Sequence, residues 1–140
     1  MSRILGIDFG TVRIGLALSD STGILASPLP FLENKSPKQV ASALAELVKT
    51  HEIERLIVGL PRNMDGSYGP SAQRVREFIT HIQIQLTAPI ETIDERLTTA
   101  QASKELSGFG LSQKELRKKV DSSSACLILQ QFLDRRQLLP

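Results

Sequence analysis

The order of its extended and helical segments most constrains the fold of this chain. Three extended segments come first, at Ile4 to Phe9, Ile14 to Ser19 and Ile24 to Leu32. The first two are separated only by Gly10 to Arg13, a spacing that predicts an antiparallel hairpin. Pro28 and Pro30 lack the N–H groups that a sheet ladder requires, so we expect the third strand to lie at a sheet edge or to be interrupted.

Helices and strands alternate after these segments. Ser36 followed by Pro37 predicts the start of the first helix. The later elements are predicted, in chain order, as a strand at Leu56 to Leu60, a helix from Pro70 or Ser71, a strand at Ile90 to Ile93, a helix at Thr98 to Leu106 and a last helix with Ala125 and Phe132 on its apolar face. Strands that alternate with helices pair in parallel through right-handed crossovers. We therefore expect an α/β fold with a mixed five-stranded sheet, in which strands 1–3 are antiparallel, strands 4–5 are parallel and helices cover both faces.

Length and composition favour one domain over residues 1–140, because a chain of this size with 41% hydrophobic residues can bury a single core. No apolar run approaches the roughly 18 residues of a membrane helix, and no signal peptide is visible, so we expect a cytoplasmic protein without membrane attachment. Cys126, the single cysteine, lies in an apolar run and is predicted to be a small core residue. The net charge of +2 permits a polyanionic partner without requiring one.

Three carboxylates stand out against this background. Asp8 lies within the apolar segment Ile4 to Phe9, where a lone carboxylate is costly to bury unless it is hydrogen-bonded or paired with a cation; alternatively, it faces the turn that follows. Glu95 follows the predicted strand Ile90 to Ile93, at a position where ligands collect in α/β sheets, or it lies in the cap region of the next helix. Asp121 precedes the last helix and is either its N-cap or a catalytic residue.

These acids come from the first strand, the last strand and the last helix, so they can converge at one end of the sheet. Hard oxygen ligands of this kind suit Mg²⁺ or Mn²⁺. Two such ions, about 4 Å apart, can generate an attacking hydroxide and stabilise the leaving oxygen of a phosphodiester. Zinc is not expected, because His51 and His81 are far apart in the sequence and no cysteine pair accompanies them. Together the three acids predict a metal-dependent nuclease.

Four segments of the chain together resemble the YqgF/RuvX family. They are Ile7-Asp8-Phe9-Gly10-Thr11, Val58-Gly59-Leu60-Pro61-Arg62-Asn63-Met64-Asp65-Gly66, Asp94-Glu95-Arg96-Leu97-Thr98-Thr99 and Lys119-Val120-Asp121-Ser122. Members of this family are described as Holliday-junction-resolvase-like proteins and as nucleases of the ribosomal RNA precursor, and the resemblance spans essentially the whole chain. It implies a ribonuclease H-like fold, a cytoplasmic role in maturing the 16S rRNA precursor, and Asp8, Glu95 and Asp121 as the metal-binding acids.

Nucleic acid is the partner expected from this resemblance, with precursor RNA first and structured DNA as an alternative, bound by a monomer or a homodimer. The candidates for nucleic-acid contacts are Arg62, Asn63, Arg96, Lys118 and Lys119. Two other interpretations remain open: the loop that contains Arg62 and Asn63 is an ordinary turn, and the lysines belong to a solvated helix face. We also expect the segment from residue 107 to 119 to become ordered on a polyanion.

Three alternatives to a precursor-RNA nuclease are retained. Junction resolvases of the superfamily also carry an acid at the end of the fourth strand, where this chain has Gly59-Leu60-Pro61, and this departure counts against junction cleavage. Sugar kinases and actin-like ATPases use a first hairpin similar to Asp8-Phe9-Gly10-Thr11, but they need two such domains to enclose ATP. A non-catalytic nucleic-acid-binding factor in ribosome assembly or transcription would retain its nucleic-acid affinity in a chelator.

Overall fold

A mixed sheet and three helices make up the described part of the chain, which is residues 3–94 and 123–138 of a computed structural model. The strands are β1 (Arg3–Asp8), β2 (Arg13–Ser19), β3 (Ala26–Glu33), β4 (Ile53–Leu60) and β5 (Ile90–Asp94), and the helices are α1 (Pro37–Thr50), α2 (Pro70–Gln83) and α3 (Ser124–Leu138). Their order across the sheet is β3-β2-β1-β4-β5. β1, β2 and β3 pair in antiparallel fashion, whereas β4 is parallel to both β1 and β5. The predicted mixed sheet is confirmed, while the predicted helix at Thr98 to Leu106 and the segment from residue 107 to 119 lie outside the described residues.

β3 occupies a sheet edge, as Pro28 and Pro30 predicted. The strand begins at Ala26 rather than at Ile24, where the apolar run in the sequence starts. The reason lies in the preceding turn: the carboxylate of Asp20 accepts the backbone N–H of Ile24 at 2.8 Å and that of the next residue at 3.1 Å. Those residues are therefore held in the turn and are not available to the ladder.

β4 begins earlier than the apolar run predicted, at Ile53. The apolar run misses the beginning of the strand because Glu54 and Arg55 are polar, and both side chains form ion pairs with neighbouring elements. Glu54 pairs with Arg136 of α3 at 3.6 Å, and Arg55 pairs with Glu91 of the neighbouring β5 at 3.3 Å. The remainder of β4 is buried, as expected for a central strand that is covered on both faces.

Two apolar layers lie on opposite faces of the sheet. α1 and α2 pack on one face, against side chains such as Leu5 and Ile7 of β1. α3 packs on the other face, where Ile4 of β1 and Cys126 belong to its core, so the prediction of a buried cysteine is confirmed. Because side chains alternate along a strand, Asp8 faces the α3 side of the sheet.

The first residues of α1 and α2 are of types that favour the start of a helix. The hydroxyl of Ser36 accepts the backbone N–H of Gln39 at 3.2 Å, and Pro37 occupies the first turn of α1, as predicted. α2 likewise begins at a proline, Pro70, after the N-cap residue Gly69. Within the described ranges, no helix combines the length and the apolar character that a membrane crossing requires.

Candidate active site at the carboxyl ends of the parallel strands

The parallel strands β1, β4 and β5 end at the same end of the sheet. We call this end, where their carboxyl ends lie side by side, the edge that carries the candidate site; it is distinct from the lateral edge occupied by β3. The register pairs Ile7 of β1 with Val58 of β4, and Leu60 of β4 with Asp94 of β5. Asp8, the last residue of β1, therefore lies at this edge on the strand in the middle of the sheet. This is the position at which open α/β sheets bind their ligands.

Asp8 is half-buried between β2 and α3. Its partner across the β1–β2 pair is Gly15. A Cβ placed on Gly15 would lie 3.5 Å from the Cβ of Asp8 and equally 3.5 Å from the Cβ of Ala125. Ala125 is the second residue of α3, so the carboxylate of the central strand lies beside the amino-terminal turn of that helix.

Gly6 explains how α3 comes so close to β1. A Cβ on Gly6 would lie 2.7 Å from the Cβ of Leu129 and 3.1 Å from the carbonyl oxygen of Ala125. Only a residue without a side chain allows this approach. The close packing fixes the start of α3 at the edge that carries Asp8, and Asp121 precedes the first residue of α3 by three positions in the sequence.

Both strand neighbours of Asp8 on the α3 face are glycines. Gly15 is its partner on β2. On β4, Val58 and Leu60 belong to the core under α1 and α2, so the alternation of the strand turns Gly59 toward α3. The positions directly opposite Asp8 on both neighbouring strands are therefore occupied by residues without a side chain.

The structure describes one of the three predicted acids, Asp8. Glu95 and Asp121 lie outside the described residues, as do the predicted phosphate contacts Arg96, Lys118 and Lys119. Within residues 3–94 and 123–138, no three His, Cys, Asp or Glu side chains are grouped so that they could hold a metal ion. The predicted ligand set is thus represented by one member among the described residues, and the ion that it would hold stays a prediction.

Arg62 and Asp94 form an ion pair across the ends of β4 and β5, with 3.5 Å between Nη1 and Oδ2. The side chains are 34% and 17% exposed, respectively, so the pair is partly shielded from water. This pairing was not predicted from the sequence. The signal that could have found it is the parallel register, because both residues stand at or just beyond the ends of adjacent strands.

The loop after β4 folds back on itself through its own polar groups. The backbone N–H of Asn63 donates to the carbonyl of Ser67 at 2.8 Å, and the Asn63 carbonyl accepts the N–H of Gly66 at 2.9 Å. Gly66 has a φ of +91°, which favours glycine. Arg62 Nε donates to the Gly66 carbonyl, and Asn63 Nδ2 donates to the Ser67 hydroxyl at 3.0 Å. The segment therefore forms a hydrogen-bonded turn, and nucleic-acid binding by Arg62 and Asn63 stays a prediction.

Tyr68 links this loop to α2. The guanidinium carbon of Arg62 lies 4.9 Å from the centroid of the Tyr68 ring, and that of Arg76 lies 4.6 Å from it. Sequence reasoning missed Tyr68 and Arg76. Tyr68 stands two positions before the first residue of α2, within reach of the second turn of that helix, and this spacing was the available signal.

Comparison with known families gives a match along nearly the whole chain. Residues 2–135 match the model of a family described as RuvX, Holliday junction resolvase. A protein of Moorella thermoacetica named "Putative pre-16S rRNA nuclease" is 44% identical over 133 residues, which cover 95% of each chain. A protein of Anaeromyxobacter sp. strain K with the same name is 42% identical over 134 residues, which cover 96% of this chain and 98% of that protein.

Solved structures show the same architecture. Thermus thermophilus RuvC in complex with a Holliday junction substrate is similar with a TM-score of 0.65 at 14% identity, over 98% of this chain and 96% of that chain. A second structure of Thermus thermophilus RuvC gives a TM-score of 0.60 at 13% identity, over 96% of each chain. At these identities the likeness shows a common fold, and it confirms the expectation of a ribonuclease H-like architecture.

Proposed function

Because this chain belongs to the RuvX family, we propose that it is a single-domain, divalent-metal-dependent nuclease that hydrolyses phosphodiester bonds in the 16S rRNA precursor. The proposed substrate follows from relatives of nearly equal length that are named as pre-16S rRNA nucleases. Since rRNA is matured where ribosomes are assembled, we place its action in the cytoplasm.

The position of Asp8 is the observation that carries this proposal. Its carboxylate stands at the carboxyl end of the central strand, beside the first turn of α3 and between two strand positions occupied by glycine. Asp8 would hold Mg²⁺ or Mn²⁺ together with Glu95 and Asp121, which are proposed from the sequence. When bound, the ions supply an activated water and neutralise charge on the scissile phosphate. The task of the three acids is to hold them at the edge of the sheet.

The presence of a buried leucine, Leu60, at the end of β4 favours RNA processing over junction cleavage. β4 ends at this residue, whose side chain is 7% exposed and belongs to the core under α1 and α2. The end of the fourth strand therefore contributes no carboxylate, in contrast to the pattern expected of the superfamily's junction resolvases. For this reason four-way junction DNA is a comparison substrate in the test and not a second proposal.

Substrate phosphates would be bound by basic and polar groups around this edge. We propose Arg62, Asn63, Arg96, Lys118 and Lys119 for these contacts. Arg62 lies directly after Pro61 at the end of β4, and its guanidinium is fixed by Asp94 and by the Gly66 carbonyl. A guanidinium held in this way can still present further N–H groups to a phosphate, because arginine has five donors.

Cleavage of end-labelled 16S rRNA precursor tests the proposal, with four-way junction DNA alongside, in Mn²⁺, Mg²⁺ or EDTA. We expect the wild type to cut the RNA only in metal and Asp8→Asn to lose cutting while it retains RNA binding. Asp134→Asn is the matched control: it makes the same chemical change in the second half of α3, where Gln130 Nε2 donates to the Asp134 carboxylate at 3.0 Å and can equally donate to an amide oxygen.

Each other outcome has a distinct meaning. Retained turnover in Asp8→Asn would refute the assignment of this acid. Metal-dependent cutting of the junction but not of the RNA would replace the proposed substrate. RNA binding in EDTA without cleavage of either substrate in any metal would identify a non-catalytic binding protein.

A further inference from the structure

Tyr68 and the two arginines that contact it form a cluster that the proposed catalytic acids do not explain. We propose that this arginine–tyrosine cluster, Arg62, Tyr68 and Arg76, binds a backbone phosphate of the nucleic-acid substrate, and that Tyr68 is a positioning residue for the Arg76 guanidinium. This extends the substrate path from the strand ends onto α2. The identification of the ligand as nucleic acid rests on the proposed function.

The charge of Arg76 is available to a ligand. Arg76 is exposed on α2, and among the residues that the structure describes no carboxylate lies within salt-bridge distance of it. The Arg62 guanidinium, in contrast, has a carboxylate partner, because its Nη1 lies 3.5 Å from Oδ2 of Asp94. Among the described residues, the two guanidinium groups that lie within 5 Å of the Tyr68 ring centroid have one salt-bridge partner within 4 Å, the carboxylate of Asp94, so two positive charges share one negative charge at this distance.

Tyr68 holds this charge in place. Its side chain is 45% exposed, so burial alone does not account for an aromatic residue here. A guanidinium over an aromatic ring is attracted by the electrons of the ring and is oriented by the stacking. An exposed arginine otherwise samples many rotamers, and restricting them in advance reduces the entropy that is lost when a ligand is bound.

The position of the cluster is suited to a strand of nucleic acid that crosses the candidate active site. Arg62 is tied to Asp94 at the sheet edge, Tyr68 stands in the loop after β4, and Arg76 follows in the second turn of α2. These contacts connect the strand ends, where Asp94 lies, with α2. A phosphate contact at Arg76 would hold substrate outside the candidate active site.

Phosphate is the ligand that this chemistry selects. The guanidinium groups already lie over the ring of Tyr68, so the ring is poorly placed to stack on a base. The planar N–H groups of arginine match the oxygens of a phosphate and bind it without reading the sequence. We therefore expect the cluster to add affinity and salt dependence to nucleic-acid binding, and not base specificity.

Binding of a fluorescein-labelled RNA oligonucleotide from the 5′ end of the 16S rRNA precursor tests the proposal. Fluorescence anisotropy is measured in EDTA over a series of KCl concentrations, so that cleavage does not contribute. We expect Arg76→Gln to weaken binding several-fold and to reduce the slope of log K against log salt by about 0.7 to 1, the value for one phosphate contact. Arg74→Gln removes the same charge from an exposed site on the same helix and is the matched control, with a clearly smaller effect.

Variants of Tyr68 separate positioning from charge. Tyr68→Leu leaves both arginines intact and should weaken RNA binding several-fold, whereas Tyr68→Phe retains the ring and should bind like the wild type. Equal effects of Arg76→Gln and Arg74→Gln, wild-type binding by Tyr68→Leu, or absence of RNA binding by the wild type would each overturn the proposal. Circular dichroism melting of each variant confirms that it is folded.

A parallel cleavage assay in Mn²⁺ keeps this inference distinct from the proposed function. Binding that depends on Arg76, in a protein that cleaves nothing, would overturn the nuclease and retain the cluster. Metal-dependent cleavage together with binding that is insensitive to Arg76 would overturn the cluster alone.

Discussion

Gly6 and Leu129 bring β1 and α3 closer together than any pair with two side chains allows: a Cβ on Gly6 would lie 2.7 Å from the Cβ of Leu129. The contact joins the strand that ends in Asp8 to the helix that follows Asp121 in the sequence. The geometry of the candidate site therefore depends on a residue that carries no functional group.

Replacing Gly6 with alanine should destabilise the protein by about 1–3 kcal/mol, because α3 must shift to accommodate the methyl group. Gly15→Ala is the control on the same face, where the new Cβ would meet its nearest neighbours at an ordinary 3.5 Å. Urea unfolding followed by circular dichroism gives both free energies of unfolding. Equal values for the two variants would show that the close approach at Gly6 does not hold α3 in place.

The Arg62–Asp94 ion pair should contribute modestly to stability. The pair is partly exposed and joins groups at the ends of adjacent strands, so we expect a coupling free energy of about 0.5–1 kcal/mol. A double-mutant cycle with Arg62→Gln and Asp94→Asn measures it. The coupling should decrease in high salt, since partly exposed charges are screened; coupling of zero at low salt would mean that the pair does not stabilise the fold.

The carboxyl group of Asp20 should have an unusually low pKa. The Thr22 hydroxyl, followed by the backbone N–H of Leu25, lowers the pKa of the Asp20 carboxyl from 3.8 to about 2. Because the folded-state pKa lies below the unfolded one, the associated stability is fully present above the unfolded pKa and is lost as pH falls through the folded pKa, in a window of about pH 4 to 2. NMR titration of the carboxyl carbon measures this pKa directly.

Thr22→Val removes the largest cause of that shift. The pKa of Asp20 should rise toward 3.8, and stability near pH 3 should become less dependent on pH than in the wild type. Thr80→Val, on α2, alters a hydroxyl that donates to the Arg76 carbonyl and should leave the Asp20 titration as it is. An unchanged pKa in Thr22→Val would contradict the assigned cause.

Ser36 should account for much of the stability of the start of α1. Its hydroxyl satisfies the N–H of Gln39, and Ser36→Ala should cost about 1 kcal/mol. Ser71→Ala changes an exposed serine in the first turn of α2 and should have a smaller effect on thermal unfolding. Indistinguishable melting of Ser36→Ala and the wild type would rule out an important cap at this position.

Apolar runs and special backbone residues made most of the fold predictable. The prolines of β3 identified an edge strand, and Ser36 with Pro37 identified the start of α1. Element ends were less predictable where polar groups decided them. The beginning of β4 escaped notice because Glu54 and Arg55 interrupt the apolar pattern, although each has an ion-pair partner in the folded chain.

The candidate site was predictable only in part, for a related reason. Asp8 is conspicuous because a carboxylate within an apolar strand requires an explanation. The Arg62–Asp94 pair and the contact of Tyr68 with Arg76 join residues from different elements, and no local pattern reveals them before the order of the strands is known. Glu95 and Asp121 lie outside the described residues, and their role stays a prediction.

Binding of Mn²⁺ to the protein tests most directly whether Asp8 belongs to a metal site. Free Mn²⁺ is measured by electron paramagnetic resonance during titration of the wild type, Asp8→Asn and Asp134→Asn. We expect Asp134→Asn to bind like the wild type and Asp8→Asn to bind about tenfold more weakly or worse, as for the loss of a group that holds a metal ion. Equal Mn²⁺ affinity in Asp8→Asn and the wild type would contradict the proposal that this carboxylate is a metal ligand.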